Sequence, residues 1–165
     1  MARRFSPLQI LLHWSVAVLV LSQFLTEDAM GSGWRALRRG MTEADALLVL
    51  AHVIGGTLIL GLTVWRIVLR ITRGVPPAAI AEPRPLRLAA AATHHMLYLL
   101  LLVLPVTGLV AWIGGHGAAA DLHEMLTTLL LAMIALHVAG AAYQQFVLRS
   151  DVLARMLPLR SRSAD

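Results

Sequence analysis

The chain has 165 residues, 58% of them hydrophobic and 14% charged, with no cysteine and a formal net charge of +5. Soluble domains are about 45–50% apolar and about one quarter charged, so an ordinary soluble fold would expose large apolar patches, and disorder is excluded on the same ground. The absence of cysteine excludes a disulfide scaffold, iron–sulfur clusters and thiolate zinc sites.

Four stretches are long and apolar enough to cross a bilayer, which takes roughly 20 residues each. In chain order they run from about Pro7 to Leu25, Ala46 to Leu69, Ala89 to Ile113 and Leu122 to Leu148. Each is continuously apolar rather than striped, and none carries an acidic residue or arginine near its middle, where such a charge costs several kcal/mol. The first stretch follows Arg3 and Arg4 as a signal peptide would. It is too long for a typical h-region, it holds Gln9 and His13, and TEDAMGSGW offers no cleavage site, so it reads as a retained span. The predicted fold is all-α: an integral membrane four-helix bundle of up-down topology, one domain over residues 1–165. A Pro-rich extended linker at 74–85 joins spans two and three, and a short tail covers 149–165.

Orientation follows from arginine, since the chain has no lysine. The N-terminus, the link between spans two and three, and the tail carry eleven arginines on one side. Only Arg35, Arg38 and Arg39 fall on the other, beside Glu27, Asp28, Glu43 and Asp45. The positive-inside rule then makes both termini cytoplasmic. The basic balance is membrane topology, and no aromatic-interleaved basic patch points to nucleic acid. The expected partner of the surface is the lipid bilayer.

A plain membrane anchor needs no histidine, yet this chain has seven. Any one of them can be explained as an imidazole bonded to a neighbouring carbonyl. Their depths form a pattern. His13 lies roughly 9 Å below the cytoplasmic edge of span one and His137 roughly 16 Å below that edge in span four, levels that helix tilt can equalise. His94 and His95 open span three on the same side. At the other surface His52 lies roughly 9 Å into span two, and His123 opens span four. His123 and His137 are fourteen residues apart, two heptads, so on supercoiled helices both face one seam. His52 can then meet His123, and His13 can meet His137. Paired imidazoles from opposite helices are what a six-coordinate haem iron requires. Gly55 and Gly56 follow His52, and Gly140 follows His137, on the same helix face. They give room for a flat macrocycle or for close helix packing.

At these residues the sequence resembles the bacterial cytochrome b561 family of small four-helix dihaem membrane proteins. The matching segments are FSPLQILLHW, LAHVIGG, HHMLYLLLLVLPVTGLV, LHEMLTTLLLAMIALH and the C-terminal RMLP. The resemblance implies two haem b groups, His13 and His137 ligating the cytoplasmic-side iron and His52 and His123 the outer one. It places the family's span-three histidine, a haem or quinone neighbour and not an iron ligand, on His94. It implies a membrane electron-transfer protein relaying electrons from an outer-side donor to ubiquinone or another quinone, with superoxide as one such donor. An alternative is a haem-bearing anchor or conduit subunit for a partner dehydrogenase. Two departures bear on superoxide: the last outer loop, GGHGAAAD, is short, and Gln144–Gln145 stand where superoxide-oxidase-like relatives have a His pair.

The remaining candidates are weaker. Tyr143 with Gln144 could hold a quinone head group. Arg66, Arg70 and Arg87 suit lipid phosphates or haem propionates. Glu124 is read as a solvated helix end, and Pro105 as a kink in span three relieved by Thr107. Trp14, Trp34, Trp65 and Trp112 read as interfacial anchors, Trp14 and Trp65 also as candidates to touch a macrocycle. A histidine-based transition-metal transporter is the remaining class, although it would call for acidic residues within the spans.

Overall fold

The computed structural model describes residues 5–41, 45–74, 83–150 and 152–156. Among them every regular element is helical: α1 (Pro7–Leu25), α2 (Glu27–Arg39), α3 (Ala46–Arg73), α4 (Arg84–Gly114), α5 (Gly117–Phe146) and α6 (Val152–Met156). Four of these, α1, α3, α4 and α5, are long and apolar enough to cross a membrane. Most of the Pro-rich linker lies outside the described residues, as do Arg3, Arg4, Glu43, Arg160, Arg162 and the last two residues of RMLP.

Local sequence accounts for the helix ends. Ser6 and Gln9 close a reciprocal capping box around Pro7: Ser6 N–H donates to Gln9 Oε1 at 2.9 Å, and Gln9 N–H donates to Ser6 Oγ at 3.3 Å. Gln9 Nε2 also donates to the Gly74 carbonyl at 3.2 Å, tying the start of α1 to the end of α3. Gly115 turns the chain out of α4 in a left-handed conformation, φ 68°. The loop expected between spans three and four is therefore reduced to Gly115 and His116, because GAAAD already forms the first turns of α5. Alanine has no side-chain entropy to lose in a helix, which favours that extension.

Two elements were not expected. The outer segment after span one is the helix α2, with Glu27 and Asp28 in its first turn, Arg38 and Arg39 in its last, and left-handed Gly40 closing it. Those charges complement the helix dipole at both ends. In the tail, α6 folds back on the bundle, and Trp14 Nε1 donates to the Met156 carbonyl at 2.8 Å. That places one indole at the chain-terminal end of the bundle, beside His13, with ring centroids 5.4 Å apart.

The bundle has two ends. The proximal end gathers the start of α1, the end of α3, the start of α4, the end of α5 and α6. The distal end gathers the end of α1, α2, the start of α3, the end of α4 and the start of α5. Between them Val16, Val20, Ile59, Leu100, Leu104 and Leu130 form the packed core. Large apolar side chains such as Leu11, Val18, Leu21, Leu58 and Leu131 point outward. This inverted appearance suits lipid, where helices associate by packing and not by escape from water. α4 runs continuously through Pro105, and Thr107 Oγ1 donates to the Leu104 carbonyl at 2.9 Å beside it.

Candidate functional site: two layers of paired imidazoles

At the distal end α3 and α5 present His52 and His123 to each other, ring centroids 6.5 Å apart and planes 61° apart. Each ring is held from behind. Thr26 Oγ1 donates its proton to the Ser22 and Gln23 carbonyls at 2.9 and 3.1 Å. It therefore accepts from His52 Nδ1, 3.0 Å away. His123 Nδ1 donates to the Leu104 carbonyl at 2.9 Å, with Thr107 Oγ1 at 3.3 Å. Both rings thus carry their proton on Nδ1 and keep the Nε2 lone pair for a metal.

A cavity of about 390 Å³ adjoins this pair, within the range of small-molecule and cofactor sites. His52, His123, Phe24, Gly56, Gly108 and Trp112 line it, and α2 contributes Glu27, Met30, Trp34 and Arg35. Gly108 supplies the close approach. A Cβ there would sit 3.1 Å from His123 Cε1 and 3.2 Å from Nδ1. The sequence reading overlooked Gly108, whose signal was the small residue one turn after Leu104 in LPVTG. Gly55 faces the Gln23 side chain, which a Cβ would meet.

At the proximal end α1 and α5 bring His13 and His137 to a centroid distance of 6.3 Å. His94 of α4 stands 5.0 Å from His137, nearly perpendicular to it, and its Nδ1 donates to the Ala90 carbonyl one turn back at 2.6 Å. Arg66 Nη2 donates to His13 Nδ1 at 3.1 Å. The Arg66 and Arg70 guanidiniums lie 5.6 and 5.8 Å from the Tyr98 ring centroid, at cation–π range. Two buried polar atoms, Thr63 Oγ1 and Gln145 Oε1, have no hydrogen-bond partner among the described residues. Tyr143 is exposed and lies on α5 beyond His137. The Gln144 carbonyl accepts from the Ser150 backbone and hydroxyl, each at 3.0 Å. Trp14 is engaged with the tail, as above, and Trp65 is exposed.

Distance tests whether these pairs suit a shared iron. Two imidazole nitrogens each about 2 Å from one metal ion, on opposite sides of it, put their ring centroids roughly 6.3 Å apart. His52–His123 and His13–His137 meet that spacing, and His94–His137 is too close. The described residues contain no group of three or more His, Cys, Asp or Glu side chains able to hold a bare metal ion. At the distal pair the two nitrogens, the cavity and the Gly108 cradle fit a macrocyclic iron, whose other four ligands come from the porphyrin.

The fold and these layers define a four-span membrane cytochrome of the b type. The chain belongs to the prokaryotic cytochrome b561 family, whose model it matches over residues 4–159. It is 34% identical over 153 residues to cytochrome b562 of Cereibacter sphaeroides, covering 93% of this chain and 94% of that one. It is 27% identical over 180 aligned positions to the probable superoxide oxidase CybB of Yersinia pestis, covering 96% and 98% of the two chains. To cytochrome b561 homolog 1 of Escherichia coli K12 it is 25% identical, covering 95% and 98%. The protein is thus a multi-pass protein of the bacterial inner membrane, and membership makes it a b-haem electron-transfer protein.

Proposed function

We propose that the chain is a two-haem relay that carries single electrons between a donor at the distal face and a quinone at the proximal face. His52 and His123 hold the distal haem b, and His13 and His137 the proximal one. The observation that carries this reading is the recurrence of one geometry at two depths: facing imidazoles 6.5 and 6.3 Å apart, with α5 supplying one ring to each. By the arginine asymmetry the proximal face is cytoplasmic.

His52 with His123, and His13 with His137, would each hold one haem b, which would supply a one-electron couple for donor and acceptor. The protein's part is to hold both axial nitrogens and bury the group. Thr26 and the Leu104 carbonyl fix the distal rings in the tautomer that offers Nε2. α2 roofs the distal cavity with Trp34 and Arg35, and these residues control what reaches it. At the proximal end His94 lies beside the ligand pair without the spacing to share its iron, a position suited to a quinone head group. Superoxide is one donor for the distal face, supported by the likeness to the Yersinia pestis protein. A dehydrogenase partner is the other.

The test is haem quantitation with a reduced-minus-oxidised spectrum. Purified protein is expected to carry two low-spin haems b per chain, and His52→Ala one. A wild-type ratio of one, or an unchanged spectrum in His52→Ala, contradicts the assignment. Stopped-flow mixing with superoxide, and separately with a quinol, then identifies the donor.

A further inference from the structure

The four spans do not close into a ring. α1 packs on α3, α3 on α4 and α4 on α5, whereas among the described residues α1 and α5 do not pack along each other. Yet the proximal ring pair joins these two helices, His13 from α1 and His137 from α5. A layer built across an open seam needs something else to fix its width. At the distal end the Thr26 hydroxyl and the Leu104 carbonyl hold the two rings. Among the described residues neither His13 nor His137 has such an acceptor.

The tail bridges the seam at its proximal end. α5 ends at Phe146, and the chain turns back at once, the Gln144 carbonyl accepting from the Ser150 N–H and hydroxyl, each at 3.0 Å. Inside that turn Arg149 takes a positive φ of 50°, the one described residue other than glycine to do so. A side chain in that conformation costs energy and persists where the surroundings hold it. Beyond it α6 packs on α5 and reaches across to α1. There the Met156 carbonyl accepts from Trp14 Nε1 at 2.8 Å, a bond between residues 142 positions apart. α6 has only five residues, of which Leu153 and Met156 are half-buried. So short a helix does not persist by propensity, and docking on the bundle is what forms it. The indole that it grips stands nearly perpendicular to the His13 ring, centroids 5.4 Å apart. An indole has one hydrogen-bond donor, and here the tail engages it.

Building on the two-haem reading, we infer that Trp14 and α6 form a clasp across the α1–α5 seam that positions His13 for the proximal haem and retains that haem. Trp14 is a positioning residue: it touches a ligand ring and not the iron. The peptide chain ties α6 to α5, and the indole ties α6 to α1, so the clasp limits how far the two ligand helices part. The anchored indole also blocks one direction in which the His13 ring could swing away. The distal pair lies at the far end of the bundle, held by Thr26 and Leu104, and the clasp does not reach it.

The experiment follows haem release from detergent-purified, full-length holoprotein to excess apomyoglobin, read at the Soret band. A His52→Ala background carries the proximal haem alone. There Trp14→Phe, which keeps an aromatic ring and removes the donor, should speed release roughly fivefold, the weight of one ordinary hydrogen bond. Met156→Pro is the second arm and lies outside the spans. It removes the N–H that closes α6 and draws Arg155 out of helical conformation, so the carbonyl leaves the indole. It should speed release at least as much, and Trp14→Phe added to it should change nothing further. In a His13→Ala background, which carries the distal haem alone, neither substitution should alter release. Because the clasp orients one axial ring, the low-spin electron paramagnetic resonance signal of the proximal iron should shift or broaden in Trp14→Phe while the distal signal stays. Wild-type release and an unchanged proximal signal in Trp14→Phe, additive effects in the double variant, or equal acceleration at the distal site overturns the inference while two haems per chain remain. A haem ratio below two in the wild type instead overturns the relay reading on which it rests.

Discussion

Gly108→Ala isolates the distal cradle. The new methyl carbon would lie 3.1 Å from His123 Cε1 and 3.2 Å from Nδ1, short of ordinary van der Waals contact by a few tenths of an ångström. The ring cannot retreat freely, since its Nδ1 is bonded at 2.9 Å to the Leu104 carbonyl, which lies one turn before Gly108 on α4. Overpacking of this kind costs about 1–3 kcal/mol. Replacing glycine within a helix returns about 1 kcal/mol, so overall stability changes little. The loss falls on the ring's position. About 1.4 kcal/mol of it lowers distal haem affinity roughly tenfold. The assay is haem titration of a His13→Ala background, which leaves the distal site alone, read by Soret absorbance. Gly61→Ala is the control, because a Cβ there meets nothing within 4 Å. It gains the same helix propensity without touching a ring. Equal haem affinity in the Gly108 and Gly61 variants would refute the argument that Gly108 sets the ring's place.

Two further outcomes follow from the contacts of the rings. Thr26→Val keeps the shape of the side chain and removes the acceptor for His52 Nδ1. Losing that bond is worth about 1 kcal/mol, and distal haem affinity should fall about fivefold, with Thr26→Ser restoring it. A valine variant with wild-type affinity would show that the hydroxyl does not orient the ring. His94→Ala should keep both haems, whereas His137→Ala should lose the proximal one. Loss of a haem in His94→Ala, measured by pyridine haemochrome, would mean that the 5.0 Å neighbour of His137 and not His13 serves as ligand.

What the linear chain determined is what bilayer and helix geometry impose locally. Hydrocarbon requires long unbroken apolar helices, so the four spans could be read directly. Two heptads between His123 and His137 could be counted on one helix. The segment after span one was legible in principle, with acids first, arginines last and glycine after. Two internal glycines and a polar composition made it resemble a loop, and its burial against the distal cavity gives it a reason to be helical. What only the tertiary structure decided are the contacts between residues far apart in sequence. Thr26 reaches His52, Leu104 offers its carbonyl to His123, and Arg66 finds His13. His13 and His94 both lie at the proximal end, and no one-dimensional spacing separates them. Their distances from His137 differ, 6.3 Å for His13 and 5.0 Å for His94, because the packing of α1, α4 and α5 fixes where each ring stands.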